Sequence, residues 1–143
     1  MTFQLSLFGA MSLILMAGIT EAQEQDLGGR ISVELNAVET IEGNCKLTFL
    51  VTSGLEVPID QLVYEAVLFG THGKVDRLTL FDFGSIPPAR PRVRQFVVPQ
   101  LECEQLGRVL FNGASVCEGE GVEADICEAG LLPSSRTNIE VVG

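Results

Sequence analysis

The sequence contains no tryptophan, and His72 is its only histidine. The lack of tryptophan excludes an antibody-type core, in which a buried tryptophan packs against the disulfide between two sheets. The single histidine disfavours a zinc site, because zinc is usually held by several histidines or by closely spaced cysteine pairs, and no C-x-x-C pair is present. His72 itself lies in a glycine-flanked turn, where a polar residue is expected.

Motifs of the common enzyme classes are also missing. No serine occurs in a G-x-S-x-G elbow, and no phosphate-binding loop or zinc-deaminase signature is present. Asp82-Phe83-Gly84 matches a kinase tripeptide, but the other kinase motifs are absent. We therefore predict no catalytic residue and no cofactor. The enzyme alternative is a small hydrolase without a recognisable motif, using His72 or carboxylates.

Basic residues are scarce, since 9 lysines and arginines stand against 19 acidic residues, for a formal net charge of −10. Nucleic acids and anionic lipids carry the same sign, so binding to either through the whole surface is disfavoured. The composition favours a soluble protein. We expect its partner to be an unknown protein or envelope component.

Long apolar runs are confined to the first residues. Residues 3–19 are mostly apolar, and Thr20-Glu21-Ala22 follows with small residues at its outer positions. This pattern is typical of a secretory signal peptide, and the run is shorter than the ~20 apolar residues of a spanning helix. We predict a signal peptide at 1–22 and a periplasmic or secreted mature chain without membrane insertion; an uncleaved anchor is the alternative.

All four cysteines, Cys45, Cys103, Cys117 and Cys127, follow the predicted cleavage site. An even number in an exported chain predicts two disulfides, because the compartment is oxidising. Four cysteines allow three pairings. We prefer 45–103 with 117–127, because Cys117 and Cys127 bracket one acidic loop and the other two lie at strand ends.

Short runs with alternating apolar and polar residues recur between turn residues, at 30–35, 45–53, 74–83, 92–98 and 137–142. The run 62–69 is apolar almost throughout, which predicts a central strand buried on both sides, and the glycine-rich link at 70–73 predicts a hairpin with 74–83. Asn112-Gly113 is the favoured pair for a two-residue hairpin turn. Residues 122–132 have helical spacing, which Pro133 ends.

Together these patterns predict an all-β fold, an antiparallel Ig-like sandwich of about seven strands with one short helical turn near residues 122–132. The domain would cover 30–143, after a flexible lead-in at 23–29.

Three arginines alternate in PARPRVRQF (88–96), at Arg90, Arg92 and Arg94. Arginine forks suit planar acidic groups, so these residues are candidates for an anion-binding or carboxylate-binding site. Alternating charge is also typical of the solvated face of a strand, or of a sheet edge protected from pairing with other chains. The sequence favours this second interpretation.

An acidic loop lies between Cys117 and Cys127. Its four carboxylates, Glu118, Glu120, Glu123 and Asp125, are candidate calcium ligands, because calcium takes several oxygen ligands from one loop. The spacing does not match that of an EF-hand. A calcium-stabilised structural module is therefore an alternative to a binding module.

Several segments carry a resemblance: LFGTHGKVDRLTLFDFG (68–84), RPRVRQF (90–96), CEQLGRVLFNGASVC (103–117) and SSR (134–136), together with the four cysteines. They resemble an uncharacterised family of small exported bacterial proteins. The resemblance covers nearly all of the chain after residue 22, and it implies a periplasmic Ig-like sandwich with two disulfides. It implies no activity.

The predicted processing can be tested on the exported protein. We expect the mature chain to begin at Gln23 and to react with no thiol reagent before reduction, because the signal peptide is removed and the cysteines are paired. Intact-mass spectrometry before and after alkylation measures both properties. A full-length chain with reactive thiols would contradict the prediction.

Overall fold

The structure, a computed structural model, describes residues 26–143. The predicted signal peptide at 1–22 and the start of the predicted lead-in lie outside these residues. The described end of the lead-in packs on the domain: Leu27 is buried, and its carbonyl accepts a hydrogen bond from the Arg30 amide at 3.1 Å. Within 26–143, no helix has the length and apolar character needed to cross a membrane.

Over the described residues, the chain forms eight strands in two four-stranded sheets. The strands are β1 (Ile31–Ile41), β2 (Asn44–Ser53), β3 (Ile59–Gly70), β4 (Val75–Ile86), β5 (Arg92–Val98), β6 (Leu106–Glu118), β7 (Leu131–Ser135) and β8 (Glu140–Val142). The first sheet has the order β5-β2-β1-β7, and the second has the order β4-β3-β6-β8. The two sheets enclose the core, so the predicted all-β fold is confirmed.

Two hairpins show where sequence signals for turns succeed and fail. The predicted hairpin of β3 and β4 is confirmed. The predicted turn at Asn112-Gly113 is wrong, because both residues lie inside β6, where Gly113 pairs with Glu65. A two-residue hairpin turn with both residues at positive φ occurs instead at Glu42-Gly43, between β1 and β2. In β6, the Asn112 amide instead donates to the Glu65 carboxylate at 2.6 Å.

The helical segment is shorter than predicted. A single turn, α1 (Ile126–Ala129), precedes β7, which pairs in parallel with β1 through the partners Val33 and Pro133. Proline is compatible with this position because β7 is an edge strand, where one side of the backbone needs no ladder partner. Pro133 therefore marks an edge strand as well as the end of the helical pattern.

The centre of the core is aromatic. Phe49 of β2 lies 5.6–6.0 Å, between ring centroids, from four phenylalanines, and each such contact adds about 0.5–1.5 kcal/mol to the stabilisation from burial alone. The four are Phe81 and Phe83 of β4, Phe96 of β5 and Phe111 of β6. This cluster joins the two sheets in a domain that has no tryptophan.

The two disulfides pair as preferred, Cys45 with Cys103 and Cys117 with Cys127. The first joins the start of β2 to a short 3-10 turn, Cys103–Gln105, that leads into β6, so it ties the two sheets together at one end. The second joins the end of β6 to α1. By loop entropy they stabilise the fold by roughly 4 and roughly 3 kcal/mol, and their presence indicates an oxidising environment.

Tyr64, the only tyrosine of the chain, connects the core to the second disulfide. Its side chain is fully buried, and its hydroxyl donates to the Cys127 carbonyl at 2.6 Å. Burial raises the pKa of the Tyr64 phenol well above its ordinary value, and the nearby Glu128 carboxylate raises it further. The folded protein therefore keeps the Tyr64 phenol in its neutral form.

This raised pKa predicts a specific loss of stability in alkali. A phenol with a higher pKa in the folded state stabilises the fold fully below its unfolded pKa near 10, and this contribution is lost as the pH rises above that value. Phenolate absorbance should therefore appear only together with unfolding, and the chain has no other tyrosine or tryptophan to obscure it. Ultraviolet titration combined with circular dichroism measures both.

The variant Tyr64→Phe is the control. It leaves the Cys127 carbonyl without its donor, which should lower the free energy of unfolding at neutral pH by about 1–3 kcal/mol. Above pH ~10 it should lose less stability than the parent, because no buried phenol ionises. A phenolate signal near pH ~10 in the folded parent would contradict this account.

Candidate functional site

The arginine-bearing side of β5 is its inner side. Val93 and Val97, on the opposite side, are 57% and 60% exposed, whereas Phe96 stacks on Phe81 at 4.6 Å between ring centroids. Arg92 and Arg94 share the side of Phe96, as the period of two predicts. Arg92 and Arg94 are half-buried on this side, and the fully exposed side of the edge strand β5 is the one that carries Val93 and Val97.

Arg94 joins the edge strands of the two sheets. Its guanidinium donates from Nε to the Phe83 carbonyl at 2.7 Å and from Nη2 to the Ser85 carbonyl at 2.9 Å, both on β4. Arg77 of β4 reaches the other way and donates to the Pro99 carbonyl, just after β5, at 2.6 Å. These bonds occupy backbone acceptors that an edge strand would otherwise offer to another chain.

The other predicted arginines have different surroundings. Arg92 donates to the neighbouring Pro91 carbonyl at 3.0 Å, and Arg90 is exposed in the loop before β5. Because Arg94 is engaged with β4 backbone, the three guanidinium groups form no common set of free donors. Arg94 is best explained as a structural bridge.

The four carboxylates predicted as calcium ligands lie at the end of β6 and in the loop that follows it. Glu118, Glu120, Glu123 and Asp125 are all exposed. Among residues 26–143, no three aspartate, glutamate, histidine or cysteine side chains converge closely enough to hold a metal ion. His72 is exposed in the turn between β3 and β4.

The outer side of the second sheet is unusually apolar. Register places Leu78 beside Val67, Val67 beside Leu110, and Leu110 beside Val142, so one apolar row crosses all four strands. Leu78 and its strand neighbour Leu80 are each 60% exposed. We call this surface the apolar face; its other apolar members are Val63, Phe69, Val75 and Val116.

The apolar face explains the predicted two-sided burial of β3. Leu62, Tyr64, Ala66 and Leu68 point into the core and are fully buried. The intervening Val63 and Val67 are 6% and 8% exposed because side chains of β4 and β6 flank them, and no second layer from the described residues covers the outer side. Outward positions of antiparallel sheets are commonly polar. The apolar residues at alternate positions of the run 62–69 therefore indicated this surface already in the sequence.

Two grooves lie at one end of the sandwich, which we call the loop end and which carries the loops 54–58, 87–91 and 119–125. Their volumes, about 680 and about 430 Å³, lie within the range of small-ligand sites. The larger lies on the first sheet and has both polar and apolar lining residues, with Ser32, Glu34, Thr52 and Arg136 among the polar ones. The smaller is lined by aliphatic side chains and two carboxylates.

Comparison with known proteins does not identify the chain, because no family model, no curated protein and no solved structure matches it. The functional interpretation therefore depends on the geometry of the described residues. Two features can hold a partner: the apolar face and the smaller groove at the loop end.

The structural role of Arg94 can be tested. Arg94→Ala removes two hydrogen bonds from a charged donor to β4, so the free energy of unfolding should fall by about 1–3 kcal/mol. Arg94→Lys should recover little of this loss, because an ammonium cannot reproduce the planar fork. Urea unfolding measures both variants.

Arg92→Ala is the matched control, because Arg92 bonds only to the adjacent residue. It should change the free energy of unfolding by less than about 0.5 kcal/mol. Equal losses in the Arg92 and Arg94 variants would contradict the bridge between the edge strands.

Proposed function

We propose that this protein is an exported, non-enzymatic binding module whose apolar face binds a partner protein of the cell envelope. The observation that carries the proposal is the apolar row across all four strands of the second sheet, with Leu78 and Leu80 largely exposed. Exposed apolar patches of this kind mark protein–protein or membrane contacts on folded domains.

Export is supported by the two disulfides together with the apolar leader at the start of the sequence. Disulfides persist in oxidising compartments such as the periplasm and the extracellular space. The four cysteines also stabilise a small domain at both ends of its sandwich, which suits a protein that works outside the cytoplasm.

An Ig-like architecture is supported by the strand order. The neighbours β1-β2-β5 correspond to strands A, B and E of that fold, and β4-β3-β6 correspond to C′, C and F. The last strands depart from the pattern, because β7 and β8 pair in parallel with β1 and β6. Ig-like sandwiches frequently serve as recognition modules, although the fold alone specifies no partner.

Charge on the apolar face indicates the chemistry of the partner. Arg108 and Glu140 neutralise each other across β6 and β8, with Nε and Oε2 2.7 Å apart. Glu65 and Asp82 form no ion pair within the described residues, and both are acidic. A partner with an apolar surface and basic side chains at its rim therefore fits this face better than a second copy of this acidic chain.

The apolar face can be tested with two matched double variants. Leu78→Ser with Leu80→Ser removes the two most exposed leucines of the face. Val93→Ser with Val97→Ser removes comparably exposed valines from the outer side of the first sheet. Both should remain folded, because surface substitutions usually change stability by less than about 0.5 kcal/mol each.

Chemical crosslinking in native envelopes, followed by mass spectrometry, should give a partner that the parent and the valine variant capture and the leucine variant loses. Crosslinks should map to β3, β4 or β6. The same partners on all three proteins would overturn the proposal. So would a concentration-dependent dimer that the leucine variant abolishes in sedimentation experiments, because the occupant would then be a second copy.

A further inference from the structure

The smaller groove at the loop end has an aliphatic floor. It lies between the loop after β2 and the loop after β6, and its apolar lining consists of Leu55, Val57, Val122 and Ile126. All four side chains are only half-buried, so they remain accessible from the groove. The volume of about 430 Å³ accommodates a few side chains of a bound segment.

The walls of this groove are held in place before any ligand binds. The Cys117–Cys127 disulfide closes the loop that forms one wall. A Cβ at Gly119 would lie 2.7 Å from both the Pro58 carbonyl and a Val122 methyl, so only glycine permits this approach of the two loops. Gly121 has a φ of 77°, which also favours glycine. A preformed groove binds with less loss of conformational entropy.

Acidic residues are concentrated in the two loops that form the groove. Glu56 and Glu123 line the groove itself. Five more carboxylates belong to the same two segments of chain: Asp60, Glu118, Glu120, Asp125 and Glu128. Segments 54–60 and 117–130 contain no lysine or arginine, and the four ion pairs within 26–143 use none of these carboxylates. Gly29 also lines the groove, and the guanidinium of the next residue, Arg30, donates to the Leu27 carbonyl at 3.0 Å.

The separation of the carboxylates around the groove favours an extended ligand over a single ion. A cation such as calcium needs several oxygens at one point, and the described carboxylates do not converge in that way. Cationic side chains spaced along a peptide can meet separated carboxylates one at a time. The aliphatic floor requires, in addition, an apolar side chain that leaves water on binding.

We propose that the loop-end groove binds an extended peptide segment of a partner in which basic residues flank an aliphatic one. This site is separate from the apolar face, so either proposal can fail without the other. Binding should weaken with added salt, because the carboxylates are exposed and the electrostatic attraction is screened.

The probe is a short peptide of alternating lysine and valine with blocked ends, titrated into the full exported chain. Calorimetry gives the dissociation constant, and NMR gives the residues whose amide signals move. We expect shifts at 54–57 and 121–126. A lysine–serine peptide should bind more weakly, because it offers the floor no apolar side chain.

Two charge variants make the test specific. Glu56→Gln with Glu123→Gln should weaken binding of the lysine–valine peptide by roughly three- to tenfold, since exposed ion pairs contribute modestly. Glu39→Gln with Glu42→Gln removes the same formal charge at the opposite end of the sandwich and should change binding by less than about twofold. Val57→Ser should also weaken binding.

Equal weakening in both charge variants, or equal affinity for the lysine–serine peptide, would overturn the proposal, because the attraction would then be non-specific. The Leu78→Ser, Leu80→Ser variant should bind the peptide like the parent. Loss of peptide binding in that variant, together with amide shifts on β3 and β4 of the parent, would overturn the proposal, because the peptide would then bind to the apolar face.

Discussion

The contact of Phe49 with the aromatic rings of β4, β5 and β6 determines how the two sheets lie against each other. Phe49 belongs to a central strand of the first sheet, and its neighbours include rings from two strands of the second. The same cluster stacks Phe96 on Phe81 and so brings β5 close to β4. At this separation the Arg94 guanidinium reaches two carbonyls of β4. The closed edge is therefore a consequence of the aromatic core.

Stabilisation at the two ends of the sandwich is covalent. At one end, Cys45–Cys103 joins the sheets, and near the loop end, Cys117–Cys127 holds α1 against β6 and close to Tyr64. A domain of this size buries a limited core, so these bonds contribute a substantial part of its stability. They also fix the loops, and a fixed loop can keep a groove open on its surface.

The sequence predicted what depends on local patterns. Alternation located most strands, and the position of the cysteines relative to those strands gave the correct pairing. Asn112-Gly113 failed as a turn because pairing of β6 with β3 over its whole length outweighed the local preference, whereas Glu42-Gly43 turns where two strands end. On β5, a period of two showed which residues share a side. It could not show which side is inner, because Val93 and Val97 are as apolar as Phe96 and Val98.

The apolar pattern of β3 differs from that of the other strands, because residues on both of its sides are apolar. Such a strand is expected between two layers. One layer is the first sheet. No described residue supplies the second, although Leu78, Val67, Leu110 and Val142 align as they would beneath one. An exposed leucine such as Leu78 adds little to the stability of the domain, because it stays in water. A partner that covered this surface would bury each of these side chains, and each burial would stabilise the complex. The apolar run at 62–69 therefore contributes the middle strand of the surface that we propose as the binding site.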